Sequence, residues 1–199
     1  TVKMGISGKG ATIVKAEGDV RAKFILNSHV EARGIVSVED SIINSKVFSN
    51  NRVLVTSQHG KIMGGEVLGL YRIEANAVGS AKETTTTLTV GRNLELEREL
   101  EKIRADINAR KVNLEEVMNK IKNTFGNHLF EDPKKYIEVL PAPKKKICLE
   151  MLAEVSNINK RIKELAVIGM QVEHKLVLEE EPQIMVKDTV YPGTTLMIK

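Results

Sequence analysis

The sequence predicts a mainly β fold with an α insertion: a parallel β-helix carrying a long antiparallel coiled-coil hairpin. Three observations predict it. A short phrase recurs at nearly constant intervals, a 4-3 spacing of apolar residues replaces it after residue 92, and strand-like alternation returns near the C-terminus.

The phrase begins at Val14 (Val-Lys-Ala-Glu-Gly-Asp-Val-Arg-Ala) and returns without gaps at Val30, Val47 and Val67, steps of 16, 17 and 20 residues. Self-similarity at such a period means stacked structural units, each unable to bury its apolar face alone. Inside each phrase apolar and polar residues alternate: Val30, Ala32, Val36 and Val38 are separated by Glu31, Arg33 and Ser37. Alternation of period two is the mark of a half-buried strand. The fifth position holds Gly18, Gly34 and Asn51, residue types that tolerate positive φ, so each phrase reads as two strands joined by a bend. Tyr71 breaks that series, and the fourth bend is expected to differ. A third strand per coil comes from Phe24–Ser28, which aligns with Ser41–Ser45 and sets Asn27 over Asn44 as a candidate amide ladder.

Stacked coils put like residues above like, so Val14, Val30, Val47 and Val67 form one interior ladder and Val20, Val36, Val53 and Ile73 another. The competing arrangement, a row of antiparallel hairpins, wants Asn-Gly or Asp-Gly turns, and none separates these runs. Parallel crossovers are right-handed by default, so a right-handed coil is expected. The β-helix is assigned to residues 1–92.

After Asn93, an N-cap type followed by Glu95, Glu97, Glu99 and Glu101, the period changes. Leu96, Leu100, Ile103, Ile107, Leu114, Val117 and Ile121 keep a heptad seam that Arg110 alone interrupts. Gly126, Pro133, Pro141 and Pro143 mark a connection. Cys148, Met151, Val155, Ile158, Ile162 and Leu165 then form a second seam, which folds back on the first as a hairpin over 93–170. An intermolecular coiled coil is the rival. Residues 171–199, with Ile184, Val186, the turn Pro192-Gly193 and Leu196-Met197-Ile198, are expected to return to the β-helix beside Leu88 and Val90.

Composition narrows the functional classes. A first residue other than Met points to a fragment or processed product. One cysteine excludes an internal disulfide and fits a reducing compartment. No apolar run reaches membrane-spanning length. The absence of Trp suits an interior of narrow Val and Ile ladders. The net charge of +4 is spread as interspersed signs with no arginine stripe, which argues against nucleic acid as a partner.

The residues also carry a resemblance. Gly60-Lys61-Ile62-Met63-Gly64-Gly65-Glu66-Val67, Arg72–Ala75 and Val78-Gly79-Ser80 resemble the flagellar assembly protein A (FapA) family. So do Ala16–Val20 with Phe24, Ile43–Val47, the Thr-rich strand ending at Val90-Gly91, and the closing Val190-Tyr191-Pro192-Gly193. The resemblance spans essentially the whole chain. It implies a cytoplasmic bacterial protein of flagellar assembly with a β-helix and a coiled-coil arm, an N-terminal family domain lying outside this chain, and kinship with bactofilin-like scaffolds.

No catalytic, metal or cofactor site is expected. His29, His59, His128 and His174 fall in the coils, a loop, the connection and the C-terminal strand region, with no HxxxH, HExxH or CxxC spacing. Gly60–Gly65 lacks the order of a phosphate loop, and Gly64, Gly65, Gly18, Gly34, Asn51, Pro192 and Gly193 are read as structural turns. Cys148 reads as a seam residue. The candidate site is the tip of the arm, where Lys134, Lys135, Lys144, Lys145 and Lys146 crowd about Phe125, Phe130 and Tyr136 for an acidic partner or membrane surface. The expected function is a non-catalytic scaffold whose partners are other proteins, a second copy of the chain included. The alternatives are a β-helix enzyme on an acyl or sugar substrate near His59 and a self-assembling cytoskeletal-type scaffold.

Overall fold

A computed structural model describes residues 4–199. Nine strands form one sheet wound on itself: β1 (Ile6–Ala16), β2 (Val20–Ala32), β3 (Val36–Ser49), β4 (Arg52–Val55), β5 (Lys61–Gly69), β6 (Arg72–Val78), β7 (Thr86–Val90), β8 (Gln183–Val190) and β9 (Thr194–Ile198). Every pairing is parallel, which makes the β region a parallel β-solenoid of about four turns. Two compact units divide the described chain. One holds the residues up to Leu94 together with Leu176–Lys199, the other Glu95–Lys175.

The ladders follow the repeat. Val14 pairs with Val30, then Val47, Val67, Leu88 and finally Leu196. Val20 is followed by Val36, Val53, Ile73 and Ile184. A third ladder, which the phrase alone does not reveal, runs Ile6, Ile25, Ile42, Ile62, Val78 and Val190. At inner levels these side chains are fully buried. Each such aliphatic side chain contributes about 1.5–3 kcal/mol of burial free energy before the entropy of ordering. In the fourth coil a turn at 57–60 splits the strand into β4 and β5, and both halves still pair with β3.

The corners correct one expectation. The chain bends at Gly18, Gly34 and Asn51, but φ is positive at none of them. Left-handed backbone occurs instead at the other corner, at Asn27 and Asn44 (φ +46 each), Gly64 (+72), Gly65 (+88) and Gly193 (+76). Asn27 and Asn44 therefore stack because asparagine tolerates this conformation. Among the described residues no hydrogen bond joins their amides. Because the first bend does not need positive φ, Tyr71 fits it. Its N–H donates to the Asn51 carbonyl (2.9 Å), as Gly34 N–H donates to the Gly18 carbonyl (3.2 Å). Glycine is required at 65 for a second reason: a Cβ there would lie 2.2 Å from the Ser45 carbonyl oxygen one level below.

The second unit holds α1 (Leu94–Phe125), α2 (His128–Glu131), α3 (Pro133–Glu138) and α4 (Ala142–Lys175). Leu100, Val117, Ile121 and Phe125 are the buried positions of α1, and Cys148, Ile158, Leu165, Gly169 and Val172 those of α4. Val117, Ile121 and Phe125 share one cluster with Cys148 and Ile158. Arg104 of α1 pairs with Glu173 of α4 at 2.8 Å, and a Cβ on Gly169 would meet Ile103 at 3.6 Å. Arg110, the charge that interrupts the first seam, reaches back to Asp106 (Nε–Oδ1 2.9 Å). His174 lies in the last turn of α4 rather than in a strand, because the apolar period continues through Gly169 and Val172.

Candidate functional site

The basic surface of the helical unit is built around a small closed core. α1 ends at Gly126, whose φ of +79 is the left-handed conformation that stops a helix, and its N–H donates to the Lys122 carbonyl (2.8 Å). Asp132 caps α3, accepting from Lys135 N–H at 3.2 Å, and Pro133 occupies the first turn where its missing N–H costs nothing. Leu129 and Cys148 are fully buried against Ile121, and Phe125 is 6% exposed. The Tyr136 hydroxyl donates to the Phe125 carbonyl at 2.7 Å. Burial raises the Cys148 thiol above its ordinary pKa, so it is a packing residue with little thiolate.

Of the sequence-predicted tip residues, Phe125 and Tyr136 thus close this core. Phe130, Lys134, Lys135, Lys144 and Lys146 are exposed, and Lys145 is half-buried. Sequence reasoning missed Val139, 78% exposed beside the α3–α4 turn, and Ile147, 49% exposed just off the α4 seam. The stretch 130–149 therefore exposes the ammonium groups of Lys134, Lys135, Lys144 and Lys146 as well as the apolar Phe130, Val139, Ile147 and Leu149, with Glu131, Asp132 and Glu138 also exposed. Lysines on apolar ground suit an acidic, partly apolar surface.

A second cluster stands on the solenoid wall. Alternation along β2 turns His29 and Glu31 to the same face, and the register sets Lys15 of β1 beside Glu31. The Glu31 carboxylate takes the Lys15 ammonium at 2.8 Å and His29 Nε2 at 2.8 Å. The hydrogen bond from Lys15 holds this carboxyl below its ordinary value of 4.5. Burial opposes that effect and His29 adds to it. The His29 ring stands edge-on to Phe48, 5.3 Å between centroids. An oriented histidine–carboxylate pair can move a proton. Ser28 and Ser45 are buried, Ser28 donating to the Leu26 carbonyl and Ser45 to the Ile43 carbonyl. The repeat alignment, which sets Lys15 under Glu31, was the signal that could have found this cluster.

The remaining histidines do not converge. His59 is exposed in the 57–60 turn, and among the described residues its imidazole makes no hydrogen bond. His128 pairs with Glu131 at 3.2 Å on α2. Among the described residues no group of three His, Cys, Asp or Glu is placed to hold a metal ion. The Gly60 carbonyl accepts from Asn76 and Ala77 N–H (3.0 Å each), and the strand β5, not a helix, follows it. Among the described residues no helix is long and apolar enough to cross a membrane.

Set against known families, residues 1–199 match the Flagellar Assembly Protein A beta solenoid domain. Searches of curated proteins and of solved structures returned no match.

Proposed function

Because the chain belongs to the flagellar assembly protein A family, we propose that it serves flagellar assembly as a non-catalytic, cytoplasmic scaffold for other proteins. In this reading residues 1–92 and 171–199 form a right-handed solenoid, and residues 93–170 are an inserted antiparallel coiled-coil hairpin whose tip docks a partner. The observation that carries it is the tip surface. Phe130, Val139 and Ile147 remain exposed among Lys134, Lys135, Lys144 and Lys146 although a complete local core lies beneath them. Apolar side chains that their own core does not need are candidates for contact with something else. The solenoid wall, built on stacked ladders in register, offers a second surface for such contacts.

The test is partner capture from a flagellated bacterium with the intact chain and with a variant carrying Lys134→Glu, Lys135→Glu, Lys144→Glu and Lys146→Glu. These side chains are at the surface, so the fold should survive, which circular dichroism checks. Loss of captured flagellar proteins, by about tenfold or more, is expected if four charges steer and hold the complex. Unchanged recovery would remove the tip from the mechanism.

A further inference from the structure

A strand that is apolar on both faces is normally covered on both faces. Three successive levels of the solenoid contain such a stretch: Phe24-Ile25-Leu26 in β2, Ile42-Ile43 in β3 and Ile62-Met63 in β5. Ile25, Ile42 and Ile62 point inward and are fully buried. Their sequence neighbours point outward by alternation, and Phe24, Leu26, Ile43 and Met63 are all only half-buried. The register stacks Leu26, Ile43 and Met63, so this wall carries an apolar ladder on its outer face as well. Outward columns of the neighbouring walls read Arg21, Ser37, Leu54, Glu74 and His29, Lys46, Glu66, Thr87. Ile43 lies between Leu26 and Met63, so its exposure is a property of the wall and not of either end of the stack.

From this we infer that the wall is a self-association face, closed by the same wall of a second copy of this chain across a two-fold axis. The axis runs along the strands, between the level of Ile43 and the level of Met63. Such an axis reverses the order of levels and leaves each column facing its own counterpart. Ile43 then meets Met63 of the second copy. In the adjacent outward column, Phe24, Ser41, Lys61 and Ala77, the large Phe24 meets the small Ala77. Large side chains opposite small ones are what two face-to-face sheets need to interdigitate.

Charge points to the same occupant. Asp40 stands at the edge of this wall one level from Lys61, so the two-fold sets each Asp40 against the Lys61 of the other copy, twice over. Among the described residues neither Asp40 nor Lys61 takes part in an ion pair within the chain. A column whose sizes and charges complement themselves on reversal suits a second copy, and a foreign partner makes no such demand.

Light scattering of the full chain across concentration tests this without any flagellar partner. A dimer is expected, and Ile43→Asp should raise its dissociation constant by about 100-fold or more, since a carboxylate would be desolvated against an apolar face. Charge reversal separates interface loss from damage to the fold. Asp40→Lys and Lys61→Glu should each weaken the dimer by about tenfold. An equimolar mixture of these two variants should restore it, because both edge pairs then carry opposite signs. A chain that stays monomeric up to about 0.1 mM, well above a micromolar constant, would overturn the inference and leave the wall to a different protein. So would a dimer indifferent to Ile43→Asp, a mass that grows without limit, or charge reversals whose mixture restores nothing.

Discussion

The solenoid and the helical unit bury aliphatic side chains by different arithmetic. In the solenoid, the neighbours of Val47 are Val30 and Val67, 17 and 20 residues away, and every inner ladder position is fully enclosed. In α1 the neighbours along the buried stripe are three and four residues apart, and Leu96, Ile103, Ile107 and Leu114 stay half-buried. A helix satisfies its backbone alone and needs only one covered stripe. A solenoid strand needs a level above and below for both backbone and side chain. The solenoid is therefore the region where a single interior change should do most damage.

The sharpest way to break that contrast is to place the same charge in both regions. Ile42→Asp sets a carboxylate between Ile25 and Ile62 with no partner. A loss of about 4 kcal/mol or more in urea unfolding is expected, enough to unfold the solenoid. Ile107→Asp, half-buried on α1, should cost no more than about 2 kcal/mol. Equal losses would refute the contrast.

Backbone crowding makes the next test. Gly65→Ala must adopt φ near +88 with its Cβ against the Ser45 carbonyl, and should cost about 2 kcal/mol or more. Gly18→Ala meets nothing within 4 Å and has no positive φ, so its unfolding free energy should change by less than about 0.5 kcal/mol. If both shift alike, the two corners are not physically different.

The smallest effect is electrostatic. Glu31 is held more acidic in the fold, so the stability it supplies is present above its ordinary value of 4.5 and lost as pH falls through its lower folded value. Lys15 is 68% exposed, which screens the pair, and Glu31→Gln should remove only about 0.5 kcal/mol at pH 7 and nothing at pH 2. Chemical unfolding at the two pH values reads the difference. An equal change at both would mean packing rather than charge.

The sequence made the ladders legible because a parallel coil repeats the demand for an apolar residue at each level, and Val14, Val30, Val47 and Val67 answer it in register. The two long helices were legible for a similar local reason, since their apolar residues recur three and four apart. The corners were legible as bends, but not which of them is left-handed. Gly18 and Gly34 look like positive-φ sites by residue type, yet Asn27, Asn44 and Gly64 hold that conformation, and their shared register was the available clue. At Gly34 the constraint is a neighbouring level, since a Cβ would lie 2.2 Å from Asp19 Oδ1. Candidate tip residues were legible by class but not by exposure, because only packing could send Phe125 inward and leave Val139 and Ile147 outside.

By itself, then, the sequence determined period, strand alternation and the two long helices, since each is a pattern of hydrophobicity read along the chain. Only tertiary structure decided which bend is left-handed, how closely Lys15 and His29 approach Glu31, and that Phe125 turns inward while Val139 and Ile147 stay exposed. Those depend on what the neighbouring level contributes to each position.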